Sequence, residues 1–103
     1  MSKKKVRENF RNAVFERDNN RCKKCGRNDV KLDCHHITDR SLMPNGGYVK
    51  QNGITLCDTE GGCHMKAEQY HLGNEVEAGF MPDDLYKLIN SSYEIAYAKS
   101  LDI

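Results

Sequence analysis

The chain has 103 residues, 38% of them hydrophobic and none of them Trp, with 16 Lys and Arg against 15 Asp and Glu for a formal net charge of +1. That length suits one domain, and so thin an apolar supply excludes a large self-sufficient core, so a metal or disulfide staple is expected. No apolar run follows Met1 and nothing resembles the roughly 18 apolar residues of a membrane span, so the expectation is a cytoplasmic protein without a membrane partner.

The small net charge hides an asymmetry. Residues 1–53 hold thirteen Lys and Arg against six Asp and Glu, a net of +7, whereas residues 54–103 hold three against nine, a net of −6. Clustered cations supply the phosphate contacts of non-specific nucleic-acid binding, which suggests a polyanionic partner. A solvated basic half balanced by an acidic helix is the alternative.

In chain order, residues 1–5 read as a mobile basic arm, because a polar terminus buries nothing. A helix follows over residues 6–18, where Val6, Phe10, Ala13 and Val14 recur at helical spacing and Asn19-Asn20 ends the pattern. Cys22, Cys25 and Gly26 form a tight turn, and a strand follows around residues 30–35. Pro44, Asn45, Gly46 and Gly47 make the segment over 37–51 a turn-rich connection. The apolar run GITLC at 53–57 reads as a second strand, and CHMKAEQYHL from Cys63 to Leu72 as a helix stopped by Gly73-Asn74. A last helix spans 82–100, opened by Pro82 and the acidic Asp83-Asp84, and is expected to pack on the first. The fold class is therefore α+β, a small strand–strand–helix core over residues 20–72 between an N-terminal and a C-terminal helix.

Cys22 and Cys25 come from one turn, and Cys57 and Cys63 from a strand end and a helix start beyond 31 intervening residues. Two pairs of cysteines in an assumed reducing compartment, within an odd total of five, favour metal over disulfides. Four thiolates at tetrahedral positions suit a closed, structural Zn²⁺ site. Cys34 reads instead as a small buried hydrophobe, and a redox role for Cys22-x2-Cys25 lacks the surrounding βαβ pattern. His35 and His36 end the first strand, where neighbouring side chains point to opposite faces, so that one can ligate a metal while the other faces substrate. His64 lies beside a cysteine of the four.

The ordered residues DCHHI at 33–37, NGITLC at 52–57 and CH at 63–64 resemble the His-Asn-His pattern of HNH endonucleases, and the framing cysteines resemble the zinc-bearing branch of that family. The resemblance covers residues 20–72 and implies a ββα-metal core that hydrolyses DNA phosphodiesters. It further implies that His35 and His64 bind a catalytic divalent ion such as Mg²⁺, that His36 is the general base and that Asn52 braces the loop. Glu68 and His71, four and seven residues beyond His64, are both candidates for a third ligand. Expected phosphate contacts are Lys3, Lys4, Lys5, Arg7, Arg11, Lys23, Lys24, Arg27, Arg40 and Lys50. With no base-reading helix evident, low sequence specificity is expected, with nicking by a monomer or double-strand cleavage by a homodimer. Small members of the family occur in phages and mobile elements, so the resemblance extends to DNA-packaging proteins as partners. The competing reading is a zinc-stabilised DNA-binding module without catalysis.

Overall fold

Ser2 starts the first helix: its hydroxyl accepts the Lys5 amide at 3.1 Å, and α1 runs over Lys3–Arg17. The computed structural model describes residues 2–103. Lys3, Lys4 and Lys5 thus form the first turn of α1, and the separate arm expected over residues 1–5 is corrected to helix, with Met1 outside the described residues. Lysine is a good helix former and a side-chain cap is worth about 1 kcal/mol, so charge alone does not release this segment from the helix.

At its other end α1 is pinned to the sheet. Asp18 is buried and accepts the Thr55 amide at 2.9 Å, while Arg17 reaches both Asp18, at 2.8 Å, and the Gly53 carbonyl, at 2.7 Å. Asn19 and Asn20 then turn the chain away with φ of 56° and 54°. Phe10 and Val14 are the buried residues of α1, and they lie so close to the second strand that a Cβ at Gly53 would come within 2.7 Å of the Phe10 ring and 2.6 Å of Val14. Only glycine permits that approach.

Strand β1 (Leu32–His36) pairs antiparallel with β2 (Gly53–Cys57), with Leu32 opposite Cys57 and His36 opposite Gly53. The connection is turn-rich, as its Pro, Asn and Gly content implied, and winds through three short 3-10 turns, Arg40–Leu42, Pro44–Gly47 and Lys50–Asn52. Buried along its whole length, β2 packs against α1 and against α2 (Cys63–His71). Its Ile54 and Leu56 join Ile37, Met43, Ala67, Phe80, Leu85, Ile89 and Ala96 in the core. Full burial of each such aliphatic side chain contributes about 1.5–3 kcal/mol.

The expected C-terminal helix over 82–100 is corrected to two: α3 (Pro82–Leu88) and α4 (Tyr93–Ser100). Asn90, at φ 54°, breaks the helical path, and Ser92 begins again as an N-cap, accepting the Ile95 amide at 3.1 Å. A serine that fits an apolar stripe by spacing can equally cap a new helix, and local hydrogen bonding decided here. Nor does α4 pack on α1: it lies against the connection, where Asn45 Nδ2 donates to the Ser100 carbonyl at 2.9 Å. The architecture is a small α+β fold of four helices and one two-stranded sheet. No helix among the described residues is long and apolar enough to cross a membrane.

Candidate functional site

Three groups of side chains among the described residues have the chemistry of metal sites: the four cysteines, His35 with Glu68 and His71, and, beside the second, Asp33 with Asp58 and His64. In the first, the tight turn after α1 offers Cys22 and Cys25, with Gly26 at φ 81° and its amide on the Cys22 carbonyl at 2.8 Å, while Cys57 ends β2 and Cys63 opens α2. One sulfur from each lies within 4.8 Å of the others, and Cys25 and Cys57 sulfurs stand 3.8 Å apart. A tetrahedron of zinc–sulfur bonds of about 2.3 Å has edges of about 3.8 Å, whereas a disulfide needs about 2.05 Å. The cysteines are free thiols with a spacing that fits a metal ion. Backbone amides already point at the sulfurs, Cys25 N–H to Cys22 at 3.4 Å and Cys63 N–H to Cys57 at 3.3 Å. Burial pushes the Cys22 thiol up, but the N–H groups around it outweigh that and bring it down to about 7. Cys63 has no such help: burial and the neighbouring Cys57 and Cys22 thiols push it up. Cys34 stands apart from the four, and burial raises its thiol to about 12, as suits an inert apolar side chain.

The second group lines a cleft of about 280 Å³ between the end of β1 and α2. His35 comes from β1, and Glu68 and His71 come from the face of α2 one and two turns beyond its start; all three offer ligand atoms within 4.8 Å of one another. His64 joins them, with its ring 5.3 Å from that of His35 and its Nε2 3.4 Å from Glu68 Oε1. That same Glu68 oxygen is 3.2 Å from His35 Nδ1, yet His35 Nδ1 is buried without a hydrogen-bond partner. A nitrogen of a 2% exposed imidazole, 3.2 Å from a carboxylate oxygen shared with a second ring but outside good hydrogen-bond geometry, belongs to a donor set that fits a cation. The His35 ring holds the Glu68 carboxyl down to about 2, so Glu68 is ionised, while burial lowers the pKa of His35 and keeps its ring neutral. Both states are those a metal ligand needs.

Groups around the cleft set the ring tautomers. His71 Nε2 lies 2.9 Å from the His36 carbonyl, an oxygen that only accepts, so Nε2 carries the proton and Nδ1 the lone pair. His64 Nδ1 faces two carboxylates, Asp33 at 3.3 Å and Asp58 at 3.5 Å, which leaves Nε2 turned toward Glu68. Partners of this kind orient metal-binding imidazoles. Glu68 and His71 therefore do not compete for one place, as their spacing suggested; the fold brings both to His35.

His36 lines the same cleft, its ring packed between Phe10 at 4.7 Å and Tyr48 at 4.9 Å between ring centres. Burial, and then the neighbouring His35, push its pKa down to about 4, so the ring is neutral throughout the physiological range. Comparison with family models, with curated proteins and with solved structures returned no match.

Asn52 is fully buried and uses its whole hydrogen-bonding capacity. Its oxygen accepts from the Thr38 amide at 3.0 Å and the Tyr86 hydroxyl at 2.7 Å; its nitrogen donates to the carbonyls of Thr38 at 3.0 Å and Gly47 at 3.3 Å. The chain just past His36 is thereby clamped to the end of the connection. Gly47, at φ 65°, leaves room for this, since a Cβ there would lie 2.6 Å from the Asn52 amide nitrogen. Tyr86, from α3, also meets the Thr38 hydroxyl at 2.7 Å. Sequence reasoning missed Tyr86, as it missed Asp33 and Asp58 beside His64 and Tyr48 beside His36. Each comes from an element whose apolar or charged pattern explains it locally, and no signal marked them.

The expected phosphate-binding cations are scattered. Arg11 pairs with Asp33 at 3.5 Å, Arg27 with Asp29 at 3.1 Å, and Lys24 lies over the Phe80 ring at 5.0 Å. Lys23 and Lys50 are exposed, the first beside the cysteine group and the second at the end of the connection. Lys3, Lys4 and Lys5 share the first turn of α1, and Arg7 and Arg40 flank Tyr48 near His36.

Proposed function

We propose that this protein is a metal-dependent endonuclease of the HNH type that hydrolyses DNA phosphodiester bonds with little sequence preference. The observation that carries the reading is that one cleft of the strand–strand–helix unit is lined by a neutral, partly buried His36, by the His35, Glu68 and His71 donor set, and by His64, whose Nε2 reaches Glu68. In this reading the four cysteines hold a structural Zn²⁺, and the His and Glu donors hold a second divalent ion such as Mg²⁺. A divalent ion held there would supply positive charge against the developing charge of the phosphate.

The chain's own residues do the rest. His36 accepts the proton of an attacking water as the new phosphorus–oxygen bond forms and the ester bond breaks. Burial makes His36 a weak base, which ensures that it is unprotonated when substrate arrives, and the anionic phosphate then raises its proton affinity. Asn52 and Tyr86 keep the chain beyond His36 in place, while Asp33 and Asp58 orient His64. The phage or mobile-element setting of small HNH proteins, with DNA-packaging partners and a monomeric or homodimeric state, belongs to this same reading.

The deciding experiment incubates supercoiled plasmid with the protein and Mg²⁺ or Mn²⁺, beside a zinc-loaded, folded His36→Ala variant. Metal-dependent nicking that disappears in the variant supports the enzyme. A plasmid shifted but uncut by both proteins under every metal replaces it with a zinc-stabilised DNA-binding module.

A further inference from the structure

We propose that Arg7, Tyr48 and Arg40 form the seat for a second phosphate of the bound nucleic-acid strand, adjacent to the phosphate attacked beside His36. The proposal rests on the nuclease reading of the neighbouring cleft and adds to it which two of the expected phosphate contacts act together, and with which hydroxyl.

Three observations converge on this place. First, the cations of the basic half are not equivalent: Arg11, Arg17, Arg27 and Lys31 each face a carboxylate within 4 Å, whereas neither Arg7 nor Arg40 forms an ion pair among the described residues. A guanidinium already paired gains little by meeting a phosphate, so the unpaired ones are the sites of polyanion binding. Second, two of the three unpaired guanidinium groups, those of Arg7 and Arg40, converge on one side chain, whereas Arg21 donates to the Gly26 carbonyl at 3.3 Å. Arg40 Nη1 stands 3.5 Å from the Tyr48 hydroxyl and Arg7 lies 5.9 Å from the centre of its ring. The Arg40 guanidinium holds the Tyr48 hydroxyl below the usual phenol range, a sign of the positive field there.

Third, the place is continuous with the cleft. Arg40 and Tyr48 line both the 280 Å³ cleft and a larger groove of about 840 Å³ that runs from it along α1, past Arg7 to Lys3. Asp102 and Ile103 also line the larger groove, whereas the lining of the cleft beside His36 includes Arg40 and Tyr48. The Tyr48 ring stands nearly perpendicular to those of His36 at 4.9 Å and Phe10 at 5.6 Å and has Arg7 over it, so its hydroxyl is the group available to a phosphate. Two planar guanidinium groups and a hydroxyl recognise a phosphodiester and carry no sequence information.

The test measures binding of a fluorescent oligonucleotide by anisotropy, with Ca²⁺ in place of Mg²⁺ to prevent cleavage, across a range of salt concentrations, alongside plasmid nicking in Mg²⁺. Arg7→Ala and Arg40→Ala are expected each to weaken binding about five- to tenfold and to lower the salt-dependence slope by about one. Tyr48→Phe, which keeps the ring against His36, is expected to weaken binding two- to threefold, and Lys87→Ala on α3 serves as the distant control. A wild-type protein that nicks plasmid while both arginine variants keep its affinity and slope overturns this seat and leaves the nuclease reading intact. Binding that falls in the two variants without any nicking by the wild type sustains the seat and removes the nuclease. Absence of both binding and nicking overturns the two together.

Discussion

Replacing Asn52 with Ala tests the central clamp. The side chain makes four hydrogen bonds in a fully buried setting, to the amide and carbonyl of Thr38, the Gly47 carbonyl and the Tyr86 hydroxyl. Its removal strands two donors and two acceptors, and at about 1 kcal/mol net for each bond the loss is about 4 kcal/mol. A domain of this size has a total stability of about 5–15 kcal/mol, so the variant stays folded but is visibly weakened. Urea unfolding followed by circular dichroism, at fixed zinc concentration, is expected to show a midpoint lower by roughly 2 M for a slope of about 2 kcal/mol per M. Tyr86→Phe breaks two of the network's bonds, to Asn52 and Thr38, and is expected to cost about 2 kcal/mol. Because the two side chains share a bond, the double variant should cost about 1 kcal/mol less than the sum. A loss below about 1 kcal/mol for Asn52→Ala, or strict additivity with Tyr86→Phe, would refute the clamp.

Cys25→Ser removes one of the four sulfurs and is expected to abolish stoichiometric zinc retention and cooperative unfolding, since binding energies of roughly 10–16 kcal/mol for such sites rival the whole stability of the domain. Asp33→Asn keeps a side chain of the same shape beside His64 Nδ1 but removes the charge that orients the ring, so Mn²⁺ affinity measured by electron paramagnetic resonance should fall about 10- to 100-fold with the zinc content unchanged. Gly53→Ala forces a methyl group against Phe10 and Val14 and should cost about 1–3 kcal/mol in the same urea assay. His36 makes stability depend on pH. Unfolded, it takes up a proton near pH 6.5, whereas folded it resists to about 4, so the unfolded state binds more protons in that window and stability falls as pH drops through it. The loss is at most about 3 kcal/mol, and the pH profile of His36→Gln should be flatter by that amount.

The short-range content of the fold was legible before any tertiary contact. The stripe of Phe10 and Val14, the Cys22–Cys25 turn, the existence of the two strands, and the helix from Cys63 all follow from periodicity, turn chemistry and ligand spacing, which act over a few residues, whereas the register that sets His36 opposite Gly53 does not. Where two local signals competed the pattern misled. The lysines after Ser2 looked like an arm although the serine caps a helix, and Ser92 looked like part of one long helix although Asn90 had already ended it.

The sequence by itself determined that four cysteines form two pairs and that histidines cluster at a strand end and a helix start. Only the tertiary structure decided how those groups meet. It set both Glu68 and His71 against His35, gave His64 its two carboxylates, tied Asn52 to Tyr86 across 34 positions, and left Arg7 and Arg40 unpaired around Tyr48 while pairing Arg11 and Arg27. Such contacts join residues far apart in the chain, and a buried polar partner or a neutralised charge exists only once the intervening backbone has been placed.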